Sequence, residues 1–213
     1  MTDDFYEARV NMIERQIKNR GIKDKKILEA FKSVPRHVFV PEEYRDLAYA
    51  DRPLPIGNNQ TISQPYIIAA MLIRLDLDKD SRVLEIGSGC GYVLAILSQI
   101  VEQVYGIERQ SALAERSQRT ISQLGYDNVE IKYGDGKLGW AEKSPFDGII
   151  VSAATSDVPE KLLDQLRLDG RMILPLGNSF SQQLVLYHKK ADDKFDREKL
   201  EPVRFVPLVD GKS

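Results

Sequence analysis

A short strand-like run, Val83-Leu84-Glu85-Ile86, leads into Gly87-Ser88-Gly89-Cys90-Gly91 and then into an apolar stretch, 92–100, of helical character. Glycines let the backbone take positive φ and come close to a ligand. A turn leaving the carboxyl end of a strand is also where open α/β sheets bind ligands. A tight structural turn would use the same residues, so spacing and charge must separate the ligands. Dinucleotide folds space their glycines G-x-G-x-x-G and aim a helix N-terminus at a pyrophosphate. Here Gly91 comes one residue early, and Glu85 precedes the turn. A carboxylate there repels phosphate but suits a cationic amino group or a sulfonium. The set Glu85, Gly87, Ser88, Gly89 and Gly91 therefore points to S-adenosyl-L-methionine rather than to NAD.

Two further acids extend the pattern. Glu108 ends the next apolar run, with Arg109 beside it. An acid roughly twenty residues after a glycine turn can accept hydrogen bonds from both ribose hydroxyls of an adenosyl cofactor. Asp135, in Gly134-Asp135-Gly136, ends a third run and is placed to receive an adenine amino group. Any one of these acids could be an ordinary solvated strand end. Three at successive strand ends form a site, and Glu108, Arg109, Asp135 and Gly136 join the cofactor set.

The elements that must hold these residues follow from the hydrophobic rhythm. Phe5, Ala8, Met12, Ile13 and Ile17 recur at helical spacing before Gly21, a C-terminal stop. Asp24 is placed to cap a second helix that carries Ile27, Leu28, Phe31 and Val34 and ends at Pro35. Pro41 can open a short helix through Leu47, after which Pro53, Pro55 and Gly57 break regular structure. Ser63 stands at an N-cap position ahead of Pro65 and the apolar helix 67–75. From residue 82, strands are expected at 82–86, 103–107, 129–133, 146–151 and 171–175, with helices starting near Gly91, Ser111 and Pro159. Such alternation predicts a doubly wound α/β fold with helices on both faces of a mostly parallel sheet. Strands at 183–188 and 202–206, joined by the charged segment 189–199, bring the sheet to seven strands and are expected to form an antiparallel hairpin on its edge. One domain is expected over 1–213, with an N-terminal helical extension at 1–75 and a cofactor-binding core at 76–213.

Bulk properties narrow the partners. Hydrophobic residues make up 42% and charged residues 29%, an ordinary globular composition. Thirty basic residues against 32 acidic ones give no excess for a phosphate backbone, so no nucleic-acid partner is expected. Cys90 is the sole cysteine, which excludes an internal disulfide and a cysteine-based metal cage and suggests a reducing compartment. Charges at Asp4, Glu7 and Arg9 interrupt residues 1–13, unlike a secretory signal. No run approaches the roughly 18 apolar residues of a membrane-spanning helix. A cytoplasmic protein with no metal and no membrane partner is expected.

Longer motifs sharpen this reading. Glu85-Ile86-Gly87-Ser88-Gly89-Cys90-Gly91-Tyr92 resembles the first motif of class I methyltransferases, whose fold is Rossmann-like. Gly134-Asp135-Gly136 and Phe146-Asp147-Gly148-Ile149-Ile150-Val151-Ser152-Ala153-Ala154 resemble later motifs of that class. Upstream, Val34-Pro35-Arg36-His37-Val38-Phe39-Val40-Pro41, Tyr49-Ala50-Asp51-Arg52-Pro53-Leu54-Pro55-Ile56-Gly57 and Gln60-Thr61-Ile62-Ser63-Gln64-Pro65-Tyr66 resemble protein-L-isoaspartate O-methyltransferases. So does Arg204-Phe205-Val206-Pro207-Leu208. The likeness runs from about Met12 to Gly211, and the motif at 60–66 marks the family rather than the fold.

The resemblance implies methylation of the free α-carboxylate of L-isoaspartyl residues in damaged proteins and peptides, with S-adenosyl-L-methionine as donor. Repair then proceeds through a methyl ester and a succinimide. The resemblance also implies that the N-terminal extension binds substrate, that Thr61 and Ser63 contact the substrate carboxylate, and that Glu85, Glu108 and Asp135 hold the cofactor. Isoaspartyl proteins and peptides are the implied partners of a monomeric enzyme, and the last two strands are exchanged relative to the usual methyltransferase order. Three departures stand out. Asn58-Asn59 lies where the family often has a glycine before the glutamine, and asparagine tolerates left-handed backbone. Cys90 replaces a small hydroxyl residue, and Thr155-Ser156 replaces a proline-rich pair.

A free α-carboxyl group, which ordinarily titrates at about 3.3 to 3.7, is already ionised at neutral pH and needs no general base. The lack of a catalytic triad is thus expected. Ser63 has a second reading, as a helix cap alone, and His37 reads as structural. His188 reads as solvated near a strand end, and Cys90 as a small packing residue rather than a nucleophile. Rival functions are a methyltransferase of the same fold acting on a small molecule or RNA, and a non-catalytic cofactor-binding module. A nicotinamide oxidoreductase is disfavoured by the glycine spacing.

Overall fold

Apolar spacing and capping shape the first third of the chain in the computed structural model, which describes residues 4–178, 180–209 and 211. Helix α1 spans Tyr6–Met12 and continues as one π-helical segment, Ile13–Ile17, and one 3-10 turn, Lys18–Arg20. Gly21 stops it in the left-handed region, at φ 99°. The Asp24 side chain accepts a hydrogen bond from the Ile27 amide and starts α2, Lys25–Ser33, which buries Ile27, Ala30 and Phe31. Two 3-10 segments, Arg36–Phe39 and Glu42–Leu47, follow. A two-stranded antiparallel hairpin comes next, β1 at Leu54–Gly57 and β2 at Gln60–Ile62, and then α3, Pro65–Leu75.

The seven-stranded sheet begins with β3, Arg82–Ile86, and continues with β4, Gln103–Glu108, β5, Val129–Tyr133, and β6, Phe146–Val151. It ends with β7, Leu166–Gly177, β8, Gln182–Ala191, and β9, Lys194–Val203. Helices α4, Tyr92–Ser98, α5, Ser111–Gln123, and α6, Glu160–Asp164, lie between strands. Strand order is β5-β4-β3-β6-β7-β8-β9, with the first five parallel and each of the last two antiparallel to its predecessor. The final two strands lie in sequential order, which is the exchange expected from the family resemblance. The order reverses between β3 and β6, and open α/β sheets bind ligands at such a switch point.

Alternate residues of each strand feed two cores. Val83, Val104, Ile150, Ile173 and Leu184 join one with residues of α2, α3, α4 and α5. Leu84, Ile86, Tyr105, Ile149, Val151 and Met172 join the other, with Leu162 of α6. Each such aliphatic side chain contributes roughly 1.5 to 3 kcal/mol on full burial. The first core also takes in Met12, Phe31 and Leu72, so the N-terminal helices and the sheet bury apolar surface against each other.

The structure corrects the expectation at three places. The last strand is not 202–206: β9 runs through most of the charged segment read as a connection, and the chain turns at Asp192-Asp193. An edge strand exposed along most of its length carries charge without cost, so apolar patterning is absent. Ser63 is not a helix cap, because Pro65 is the first helical residue, Gln64 occupies the cap position, and no side chain bonds there. Pro55 and Gly57 do not break regular structure, because both lie within β1, an edge strand that spares its amides, whereas Pro53, just before it, lies in no regular element as expected.

Asn58 and Asn59, at φ 52° and 56°, form the two-residue turn of that hairpin. Both residues left-handed is the primed turn that suits strand twist. An alanine lacks asparagine's tolerance of this region, where an L-residue pays roughly 1 to 2 kcal/mol. Asn59→Ala is expected to lower unfolding free energy by about 1 kcal/mol, and Asn59→Gly to leave it level or raised, in chemical denaturation.

Candidate active site

The turn after β3 is held from the neighbouring strand. Gly87, Gly89 and Gly91 have φ of 75°, 54° and 87°. The amides of Gly87 and Ser88 both donate to the Ile107 carbonyl, at 2.8 and 3.2 Å. One oxygen of Glu108 accepts from the Gly89 amide at 2.9 Å, and the other accepts from the Gln110 amide at the same distance. Glu108 is 5% exposed, so these charge-assisted bonds fix the turn in a sheltered setting. A Cβ on Gly91 would collide with Ser117 Oγ of α5, so the third glycine serves close helix packing.

Glu85 lies one layer below. Its carboxylate is buried, one oxygen accepting from Ser152 Oγ at 2.7 Å while Oε2 has no partner. Burial pushes its pKa up to about 8, opposed by the Ser152 bond and reinforced by the charge of Glu108. A half-paired buried acid at a sheet switch point is what a cationic ligand group would satisfy. Ser152 follows β6, and its amide donates to the Ile86 carbonyl across the switch point at 2.8 Å.

Two hollows meet over these residues. A cleft of about 50 Å³ is lined by Gly87, Gly89, Glu108, Arg109, Gly136 and residues 206–209, among others. Residues 206–209 form a continuous strip of its lining. The larger cavity, about 610 Å³, is lined by Thr61, Ser63, Gln64, Ile67, Arg204 and Phe205, among others. Thr61, Ser152 and Val206 belong to both walls. The strip is held in place by paired bonds. Ala154 donates to Val206 at 2.7 Å and accepts from Leu208 at 2.6 Å, while the Gln182 side chain bonds both the amide and the carbonyl of Phe205.

Of the residues singled out in the sequence, Gly87, Gly89, Glu108, Arg109, Gly136, Thr61 and Ser63 line these hollows. Glu85, Ser88, Gly91 and Asp135 stand behind the walls. Asp135 accepts from the Lys137 amide and from the Gly211 amide, both at 3.0 Å. Ser88 is buried with its hydroxyl unpartnered. Ser152 belongs to the motif at 146–154 but sequence alone assigned it no role; its place beside Glu85 on adjacent strand ends was the available signal. His37 bonds Tyr49 Oη through Nδ1 at 2.8 Å and stacks on Phe5. His188 sits 3.5 Å from Asp169, away from both hollows. Cys90 is buried, its thiol pushed up to about 11 by desolvation, so it carries little thiolate. Among the described residues, no cluster of three or more His, Cys, Asp or Glu is placed to hold a metal. No helix of the described residues is long and apolar enough to cross a membrane.

The residues fit an S-adenosyl group. Glu85 Oε2 supplies an unused buried acceptor for a cation, and each Glu108 oxygen keeps a lone pair beyond its amide bond for ribose hydroxyls. A pKa near 8 leaves Glu85 mostly protonated at about pH 7, and a bound cation favours the ionised form. Cofactor binding at about pH 7 should therefore release close to one proton, seen as a dependence of calorimetric enthalpy on buffer ionisation. Release should vanish in Glu85→Gln; no release in the parent chain would remove Glu85 from the site. Because this pKa is raised on folding, the stability Glu85 adds is fully present below about 4.5 and is lost as pH rises towards 8.

Comparison with known proteins places this geometry. Residues 7–213 match the family model for protein-L-isoaspartate(D-aspartate) O-methyltransferase. The chain is 49% identical over 205 residues to protein-L-isoaspartate O-methyltransferase of Geobacter metallireducens, covering 96% of this chain and 95% of that one. It is 51% identical over 203 residues to the Dictyoglomus turgidum protein of the same name, covering 95% and 92%. Among solved structures, a protein-L-isoaspartate O-methyltransferase superposes with TM-score 0.87 at 32% identity over 93% of this chain, which spans only 65% of that longer chain. A putative Plasmodium falciparum protein-L-isoaspartate O-methyltransferase, solved with S-adenosyl-L-homocysteine, gives TM-score 0.83 at 28% identity, covering 94% and 98%. Sequence match over nearly the whole length, the same fold and a fitting cofactor site agree, and the chain belongs to the protein-L-isoaspartate O-methyltransferase family.

Proposed function

We propose that this chain methylates the free α-carboxylate of L-isoaspartyl residues in damaged proteins and peptides, starting their repair. The observation that carries the proposal is the shared wall of Thr61, Ser152 and Val206, where the cofactor cleft and the larger cavity meet. When bound, S-adenosyl-L-methionine supplies a methyl group on an electrophilic sulfonium.

The chain's own residues bind, orient and dry the acceptor. Glu108 holds the ribose, Glu85 balances the ligand's positive charge, and Gly87, Gly89 and Gly136 let backbone approach it. Arg109 and Asp135 flank the adenosyl end. Thr61 and Ser63 hold one oxygen of the substrate carboxylate and leave the other facing the cleft. Ile67, Val203, Phe205 and Val206 strip water from that carboxylate, a change that raises its reactivity. No residue need take a proton, since the acceptor is already ionised at neutral pH. Holding carboxylate, methyl and sulfur in line lowers the barrier by up to roughly 7 to 11 kcal/mol.

The enzyme acts as one domain and as a monomer in the cytoplasm, on protein and peptide substrates rather than nucleic acid. The near balance of 30 basic and 32 acidic residues supports the last point. An isoaspartyl residue carries its free carboxylate directly on Cα, whereas a normal aspartate carries it one methylene further out. Misplacement by about 1 Å costs roughly a hundredfold in rate. With labelled cofactor, an isoaspartyl peptide is therefore expected to be methylated at least about a hundredfold faster than its aspartyl twin. Equal rates for the two, or methylation of RNA or a small molecule and of neither peptide, would overturn the assignment.

A further inference from the structure

Arg36 is completely buried, yet among the described residues no carboxylate pairs with it. Lone buried cations are costly, and arginine is almost never fully buried unless partnered. Its partners here are neutral. Nε donates to the Ala48 carbonyl at 2.7 Å, and Nη2 donates to the Ser63 carbonyl at 2.8 Å. The guanidinium also lies 4.9 Å from the centre of the Tyr92 ring, on the first residue of α4 after the glycine turn. Phe31 and Phe39 pack edge-on against that ring, so it is itself immobilised. Nη1 has no partner.

This arrangement joins three separate pieces of chain. Ala48 follows the 3-10 segment Glu42–Leu47, Ser63 leaves the Asn58-Asn59 hairpin towards α3, and Tyr92 anchors the end of the cofactor turn. Arginine's planar fork presents its donors at fixed spacing, which lysine's single ammonium cannot do. Ser63 needs such an external tie because no capping bond fixes it and it lies outside β2 and α3. We infer that Arg36 is a positioning residue for methyl transfer: it fixes Ser63, by its carbonyl, relative to the cofactor turn, so that the Ser63 hydroxyl meets the substrate carboxylate. This inference rests on the substrate-holding role proposed for Ser63.

The test compares Arg36→Lys, Ser63→Ala and the double variant in the full chain, well below their unfolding temperatures. Readouts are kcat/KM for an isoaspartyl peptide and Kd for S-adenosyl-L-homocysteine. Arg36→Lys is expected to lower kcat/KM by roughly tenfold or more, inside the hundredfold that 1 Å of misplacement costs, with Kd changed less than about threefold. In the Ser63→Ala background the same replacement should lower kcat/KM by less than about threefold, because coupled residues do not add. A merely structural role predicts equal losses in both backgrounds and a parallel loss of cofactor affinity, and that result overturns the inference. Where Arg36→Lys does not fold, Arg36→Gln, which leaves no buried charge, takes its place with the same expectation. Failure of both to fold makes Arg36 a folding residue and also overturns it. An unchanged kcat/KM in Ser63→Ala removes Ser63 from the substrate site, and this role of Arg36 with it. A loss in Ser63→Ala beside none in folded Arg36→Lys overturns the role of Arg36 alone.

Discussion

The carboxylate of Glu108 reaches back from the end of β4 to the amide of Gly89, and much of the site hangs on that bond. Three glycines within five residues would leave the turn after β3 conformationally loose, since glycine has the most freedom to lose on folding. Anchoring one amide to a neighbouring strand, while two others bond the Ile107 carbonyl, leaves the turn one shape. With that shape set, α4 leaves the sheet at a defined place, Tyr92 becomes the wall on which Arg36 rests, and the Glu108 carboxylate faces the cleft. The residue read from sequence as a ribose ligand is thus also a brace for the backbone beside it.

The hollow proposed for substrate is assembled from segments far apart in the chain. The hairpin of β1 and β2 brings in Thr61, and the chain beyond β9 brings in residues 204–206. The hairpin is seated by Leu54, Ile56 and Ile62 in the first core, but burial does not fix Ser63 or residues 204–206, none of them buried. Directional bonds do so instead: Gln182 grips both backbone groups of Phe205, Ala154 pairs with Val206 and Leu208, and Arg36 holds Ser63. Satisfied buried donors and acceptors give such loops unique positions, and losing one partner leaves the other stranded at roughly 1 to 3 kcal/mol.

How far the sequence was legible follows from what each element is made of. β3, β4 and β6 are buried on both faces along nearly their whole length, so their apolar runs gave their positions almost to the residue. β9 was displaced because its residues face water at the sheet edge and read as a charged linker. The acids at strand ends were visible because position after a strand and charge are both sequence properties. Hydrogen bonds across the fold are not. That Glu108 would hold Gly89, that Ser152 would reach Glu85, or that Arg36 would be buried against two carbonyls depends on which strands neighbour which. The Ser63 cap was misplaced for a local reason: proline favours the first helical position, which moves the cap to Gln64.

The central claim is geometric: cofactor and acceptor meet where Thr61, Ser152 and Val206 close both hollows. A crystal structure of the chain with S-adenosyl-L-homocysteine and an isoaspartyl peptide tests it most directly. The cofactor sulfur should lie at that junction, with one oxygen of the isoaspartyl carboxylate facing it and the other within hydrogen-bond reach of Thr61 or Ser63. A peptide bound instead in the polar recess at the opposite strand ends, beside Asp76, Asp147, Arg171 and His188, or a cofactor lying away from Glu108, would contradict it.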